Sequence, residues 1–238
     1  MQDVGQAIAW LKGHSDASIY KVLKRLGFSR KQALYFVHSP DVDFRSKWQA
    51  VLRAFADAVN HPTEAVLLFL DELTYYRRPG KAPAYHTRGK TQPLALEAAC
   101  YNTQTRLVAT LNGLTGQVLY LQRRMIGKEA LAAFYAQVRT AYPTAQRIYI
   151  VQDNWPTHKS AEVLRALQCH RLTPLFMPVY ASWLNPIEKL WRWLKQDILH
   201  LHRLASDLDQ LRQQVMAFLD GFQHGSEKLL RYVGLLSD

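Results

Sequence analysis

Residues 65–70, Ala-Val-Leu-Leu-Phe-Leu, form an unbroken apolar run that ends at Asp71. A run of that length with no polar alternation suits a central strand covered on both faces, and so asks for a sheet with helices on each side. A carboxylate directly after it needs a reason, because burying an unpaired charge is costly. The same arrangement recurs at residues 147–152, Arg-Ile-Tyr-Ile-Val-Gln, which Asp153 follows. A third acid, Glu188, closes the stretch Ser-Trp-Leu-Asn-Pro-Ile-Glu at 182–188, directly before a helical pattern. Each acid alone has a bland explanation, since strands often end in Asp and helices often begin near Glu. Carboxylates that face one another at strand ends also hold two divalent cations about 4 Å apart, the arrangement that serves phosphoryl transfer on nucleic acid.

The rest of the chain narrows the class. At 238 residues with 48% apolar and 11% aromatic content, it has the makings of one substantial core plus a smaller unit, not of a disordered segment. No apolar run reaches the 18 or so residues that span a bilayer, and the start Met-Gln-Asp-Val lacks the basic opening of a signal peptide. The two cysteines, Cys100 and Cys169, show no Cys-x-x-Cys spacing. A zinc site or disulfide framework is therefore not expected, any metal should be oxygen-bound, and a reducing cytoplasm fits. The net charge of +11 is uneven: residues 61–73 hold three acids and no base, whereas residues 74–128 hold nine Lys or Arg against Glu97 alone. A basic block directly after Asp71 is where a polyanion would be held against a metal site, with counterion release supplying affinity.

Pattern and punctuation predict the elements. Residues 2–12 read as a short helix. Ser15 or Asp16 caps a second helix over 17–26, which Gly27 stops. Residues 43–59 repeat apolar positions at spacings of three and four and read as a helix that packs on the sheet. Strands are expected at 65–70, 93–101, 106–112, 117–122, 147–152 and 172–176, with Asn112-Gly113 supplying a turn. The three from 93 to 122 read as an antiparallel meander. Helices are expected at 128–142, 157–168, 188–200, 204–221 and 226–236.

The acids with their flanks, Asp71-Glu72, Asp153-Asn154 with His158, and Asn185-Pro186-Ile187-Glu188, resemble the DDE transposases of bacterial insertion sequences in the mariner superfamily. The 34 residues between Asp153 and Glu188 are characteristic of that group, and the likeness covers roughly residues 16–230. The resemblance implies an α/β, RNase H-like mixed sheet, an antiparallel meander plus parallel strands, flanked by helices, with a small helical N-terminal segment. It implies two Mg²⁺ or Mn²⁺ ions held by Asp71, Asp153 and Glu188, and double-stranded DNA as substrate, both the inverted-repeat ends and the target. A homodimer on DNA and a place in the cytoplasm, on the nucleoid, follow from the same likeness. In such a site no covalent enzyme intermediate is needed, and no Gly-x-Ser-x-Gly elbow or Cys/His pairing appears.

Other residues take supporting roles. Glu72 points to the opposite side of the strand from Asp71 and stands behind the metal ligands. Asn154 is placed to bond a phosphate or fix the Asp153 loop. His158, near the first turn of the next helix, reaches a carboxylate or the scissile phosphate, or is simply structural. Asn185 and Pro186 shape the turn that presents Glu188. Arg192 and Lys195, at i+4 and i+7 from Glu188, share its helix face and would clamp the DNA strand. Trp183, Trp191 and Trp193 read as core rather than as base-stacking platforms. Arg77, Arg78, Arg88 and Lys90 form a basic loop leading away from Asp71.

At the N-terminus Lys24, Arg25, Arg30 and Lys31 are expected DNA contacts. Residues 1–38 read as a partial helix-turn-helix and basic linker, and 39–238 as the RNase H-like DDE catalytic domain. Relatives of this kind carry two helix-turn-helix units, so the chain reads as a second-frame product or a truncation, served by an upstream-frame DNA-binding segment. Two alternatives stand beside the transposase: another RNase H-like nuclease such as a junction resolvase, and a non-catalytic DNA-binding remnant.

Overall fold

A computed structural model of the chain describes residues 13–29, 31 and 38–237. The helix expected at 2–12, and Arg30, lie outside the described residues. The chain divides into two units, Met1–Val37 and His38–Asp238.

In the first unit, α1 (Asp16–Arg25) begins where the Ser15 side chain accepts the Ser18 N–H, relieving one of the orphan donors of a helix start. It ends in a Schellman turn. Gly27 takes φ +80°, its N–H donates to the Lys24 carbonyl, and the Phe28 N–H reaches back to Leu23. Only a residue without Cβ adopts that angle freely. Ile19 is buried, and Lys24, Arg25 and Lys31 are exposed.

The second unit is a five-stranded mixed sheet between two helical layers. Its elements are α2 (Phe44–Asn60), β1 (Ala65–Tyr76), β2 (Gln104–Asn112), β3 (Val118–Arg123), α3 (Lys128–Ala141), β4 (Arg147–Gln152), α4 (Ala161–Cys169), β5 (Leu172–Phe176), α5 (Ile187–Leu194), α6 (Leu208–Asp220) and α7 (Glu227–Val233). The strand order is β3-β2-β1-β4-β5. β1, β2 and β3 pair antiparallel, and β4 and β5 add in parallel. This is the RNase H-like mixed sheet that the resemblance implies.

Alternation along β1 builds both cores. Ala65, Leu67, Phe69, Leu73 and Tyr75 pack with α2, α5, α6 and α7, while Val66, Leu68 and Leu70 pack with α3 and α4. Leu67, Leu68 and Leu70 are fully buried; each contributes about 1.5–3 kcal/mol by leaving water. Among the described residues no helix is long and apolar enough to cross a membrane.

Along the sheet and the helix after Pro186 the structure departs from the sequence reading. β1 does not stop at residue 70 but runs on to Tyr76, because β2 pairs with it from Leu68↔Asn112 to Tyr76↔Gln104. No strand forms over 93–101: β2 and β3 already occupy that side of the sheet, Leu94 and Leu96 are exposed, and Pro93 has no N–H to donate. The helix expected over 188–200 is an α-helix only to Leu194 and then widens into a π turn, Lys195–Leu199. After it the chain runs beside Gly80, whose N–H donates to the Leu199 carbonyl and whose carbonyl accepts from Leu201.

Candidate active site

Parallel pairing of β1 with β4 ends at Phe69↔Val151, while β1 continues along β2 alone. The sheet therefore splits beyond the carboxyl end of β4, and Asp71 and Asp153 stand on either side of the gap. Open α/β sheets bind ligands at such carboxyl ends. Strand alternation sends Asp71 toward the α5 layer and Glu72 toward the α3 and α4 layer.

Asp71 is held by α5. The Trp191 indole, itself buried, donates its Nε1–H to Asp71 Oδ2 at 2.9 Å. Burial, and then the charges of Glu188 and Glu72, push the Asp71 carboxyl up to about 7 against the pull of the Trp191 bond. The turn before α5 is tied to the same strand: Asn185, buried, donates its Nδ2–H to the Leu70 carbonyl at 3.1 Å. That carbonyl lies just past the point where β4 stops pairing, so the side chain supplies a partner the sheet no longer offers. Pro186 follows as the N-cap of α5, and Glu188 sits in its first turn. Desolvation, and the charge of Asp153, raise the Glu188 carboxyl, while Lys195 and Arg192 oppose the rise. Both basic side chains are exposed, Arg192 on α5 and Lys195 at the start of the π turn that follows it.

Asp153 is held from the other layer. Its Oδ1 accepts from the Trp155 backbone N–H at 2.9 Å and from His158 Nδ1 at 3.0 Å. His158 Nε2 donates in turn to Glu72 Oε1 at 2.8 Å. The imidazole is 1% exposed and meets Trp155 edge-on at 5.4 Å. Burial alone would lower the His158 pKa, but the bonds and charges of Asp153 and Glu72 outweigh it and raise it to about 9. A buried imidazolium thus bridges two carboxylates. Burial pushes Asp153 up, yet the His158 and Trp155 bonds together hold it below its ordinary value. His158 lies in the turn before α4, not in the helix, whose N-cap is Ser160. Asn154 donates its Nδ2–H to the Met177 carbonyl at 2.6 Å. The loop after β5 is fixed again by Asp41, which accepts from the Val179 N–H at 2.8 Å and from Lys47 at 2.7 Å.

A cleft of about 320 Å³ opens between these groups, lined by Asp71, Glu72, Asp153, Arg106 and Trp155 among others. A second, of about 370 Å³, opens on the far side of Asp153 and Asn154, against Met177, Tyr180 and Ser182. Glu188 lines neither. Among the described residues no three His, Cys, Asp or Glu side chains already form a closed metal-holding group; Asp153 accepts both of its bonds through Oδ1, which fixes the direction of the carboxylate. The donors that meet at the gap are nonetheless carboxylates, the hard oxygen ligands that Mg²⁺ and Mn²⁺ take.

The basic loop divides. Arg77 donates to the Ser206 carbonyl at 3.2 Å, and Arg78 faces Glu97 at 3.6 Å. Arg88 and Lys90 are exposed. Trp191 and Arg106 are the residues that sequence reasoning missed as parts of the site. The i+3 spacing from Glu188 is a signal for Trp191, whereas Arg106 enters only through its register with Thr74.

The family described as DDE superfamily endonuclease matches residues 66–212. The Shigella sonnei "Insertion element IS630 uncharacterized 39 kDa protein" is 24% identical over 191 residues, which are 77% of this chain and 54% of that protein. The chain thus spans about half the length of the curated relative it matches. Among solved structures, the Mos1 transposase paired-end complex with left transposon end aligns with TM-score 0.68 at 14% identity, over 97% of this chain and 69% of that one. The Mos1 mariner paired end complex with Mn aligns with TM-score 0.66 at 14% identity, over 95% and 68%. The catalytic domain of Mos1 mariner transposase aligns with TM-score 0.52 at 12% identity, over 85% and 91%. With the family matching over more than half of its length, this chain belongs to the DDE superfamily endonucleases.

Proposed function

We propose that the chain is a transposase, or its catalytic portion, that cuts and joins DNA at insertion-sequence ends. The observation that carries this reading is the meeting of Asp71 and Asp153 at the split in the sheet, with the Glu188 carboxyl near enough for its charge to act on Asp71. The family match supports the endonuclease chemistry. The transposon-end complexes of Mos1, one of them with Mn, support duplex ends as substrate and divalent ions as the cofactor.

Asp71, Asp153 and Glu188 would hold two Mg²⁺ or Mn²⁺ ions. When bound, such ions activate the attacking oxygen and stabilise the leaving one. The protein's share is placement. Trp191 fixes the Asp71 carboxyl, His158 and the Trp155 N–H fix Asp153, and the Asn185 bond to β1 sets where Glu188 emerges. Arg192 and Lys195 would hold the strand by its phosphates. In cutting, water adds to the scissile phosphorus and the bond to the 3′ oxygen breaks, leaving a 3′-hydroxyl. In joining, that hydroxyl adds to a target phosphorus, and the target's 3′ oxygen leaves and takes up a proton. A homodimer on DNA and help from an upstream DNA-binding segment belong to the same proposal.

The test is cleavage of a duplex carrying the element end, with Mg²⁺ or Mn²⁺. Asp71→Asn and Asp153→Asn should each lower cleavage by a thousandfold or more while leaving circular dichroism unchanged. Wild-type rates in both variants would sink the assignment. Joining of the cut 3′ end to a second duplex separates a transposase from a resolvase.

A further inference from the structure

We infer that Arg106, with Arg123 beside it, grips a DNA phosphate on the β2–β3 side of the cleft, across the carboxylates from Arg192 and Lys195. This deepens the proposed nuclease reading and rests on it. Arg106 stands on β2 opposite Thr74, so it shares a sheet face with Glu72 and lines the cleft with Asp71 and Asp153. In that position a guanidinium ordinarily pairs with the acids. Glu72 and Asp153 are instead both engaged by His158. The Arg106 Nε is enclosed, with no hydrogen-bond partner among the described residues. Among the described residues no hydrogen bond or ion pair commits the rest of the guanidinium either, and a cation left unmatched beside a cleft calls for a partner such as a bound anion.

The second observation is independent. Arg106 lies directly opposite Arg123 on β3, and like charges facing each other across strands are destabilising. An anion between them reverses that repulsion. Arginine's rigid fork matches phosphate oxygens, and the site next door is one for phosphodiester chemistry. Arg192 on α5 and Lys195 just after it lie on the Asp71 side of the sheet and this pair on the Glu72 side. A backbone threaded through the gap would thus meet positive charge both before and after the reacting phosphate. If Arg106 served only to offset the cleft acids internally, removing it would change stability and leave the salt dependence of binding alone.

The experiment uses the full 238-residue chain and a fluorescein-labelled duplex of arbitrary sequence, about three helical turns long. Affinity is measured across a series of salt concentrations in EDTA, for wild type, Arg106→Gln, Arg123→Gln and, as a control, Arg165→Gln on α4. Each phosphate that is no longer neutralised should reduce the log–log salt slope by about 0.9. Arg106→Gln and Arg123→Gln should each show this reduction and bind several-fold more weakly at moderate salt, while Arg165→Gln follows wild type. With Mg²⁺, Arg106→Gln should also cleave at least tenfold more slowly. Arg123→Gln changes an exposed strand end, so it decides the matter where Arg106→Gln does not fold. Unchanged slopes in Arg123→Gln and in folded Arg106→Gln, with a wild type that cleaves, overturn this assignment and leave the nuclease reading intact. Reduced slopes in a chain that never cleaves support the phosphate grip and sink the nuclease reading instead.

Discussion

At the residue scale, His158 shows how a single side chain organises charges that sequence distance keeps apart. Its ring nitrogens span Glu72 on β1 and Asp153 after β4, and the ring is almost wholly buried. Replacing it removes two charge-assisted bonds and leaves Glu72 facing a void without a partner. Each such bond contributes about 1.5–3 kcal/mol, reduced here at the half-exposed Asp153. His158→Ala should lower stability by about 2–3 kcal/mol, and the melting midpoint by about 2–4 °C for each kcal/mol. It should also weaken Mn²⁺ binding, read by isothermal titration, because Asp153 loses its fixed direction. A variant with unaltered melting and unaltered Mn²⁺ affinity would show that the bridge positions nothing.

At the element scale, α2 is fastened to β4 by one carboxylate. Asp57 accepts two bonds from Arg147, at 2.7 and 3.2 Å, and one from the Tyr149 hydroxyl at 2.9 Å. The Arg147 bond, then that of Tyr149, holds Asp57 at about 2, below its ordinary 3.8. A depressed acid contributes stability that is complete above the unfolded value and is lost as pH falls through the folded one. Urea midpoints of wild type and Asp57→Asn should therefore differ by a constant amount above about pH 4.5 and converge between about pH 4 and 2. A gap that stays constant through that lower range would refute the tether. The β2–β3 hairpin meets α7 just as closely. Gly116, at φ +70°, has no room for a Cβ against the Ser226 carbonyl, and Ser226 donates its N–H to Thr115 at 2.8 Å. Gly116→Ala should cost about 1–2 kcal/mol from the backbone angle alone, with the clash adding to it. A urea midpoint within error of wild type would contradict this.

At the scale of the whole molecule, the net charge of +11 is divided between work inside the fold and work outside it. Arg77 is committed to the Ser206 carbonyl, whereas Arg88 and Lys90 stand in solvent. Replacing Arg88 and Lys90 with Gln should flatten the salt dependence of duplex binding by about 0.9 for each phosphate they would otherwise neutralise. Arg77→Gln should lower the melting midpoint and leave that slope unchanged. The opposite pattern would mean that the basic loop rearranges on DNA.

What the chain states locally is legible without the fold. The strands over 65–70, 147–152 and 172–176, the helix cap at Ser15 (Asp16 being the other candidate) and the Gly27 stop all follow from short-range sterics and burial, and the structure has them where the sequence puts them. What depends on partners distant in sequence is not. Pairing with β2 extended β1 to Tyr76 and left 93–101 without a strand, because a ladder's hydrogen bonds belong to two segments at once. Trp191 meets Asp71 across 120 positions, and Glu72 meets His158 across 86. Arg106 enters the cleft through a register that no local pattern encodes. The sequence singled out Asp71, Asp153 and Glu188 as candidates, because a carboxylate directly after an apolar run or a proline turn is conspicuous in one dimension. Only the tertiary structure decided what holds them, because hydrogen-bond geometry is a property of three.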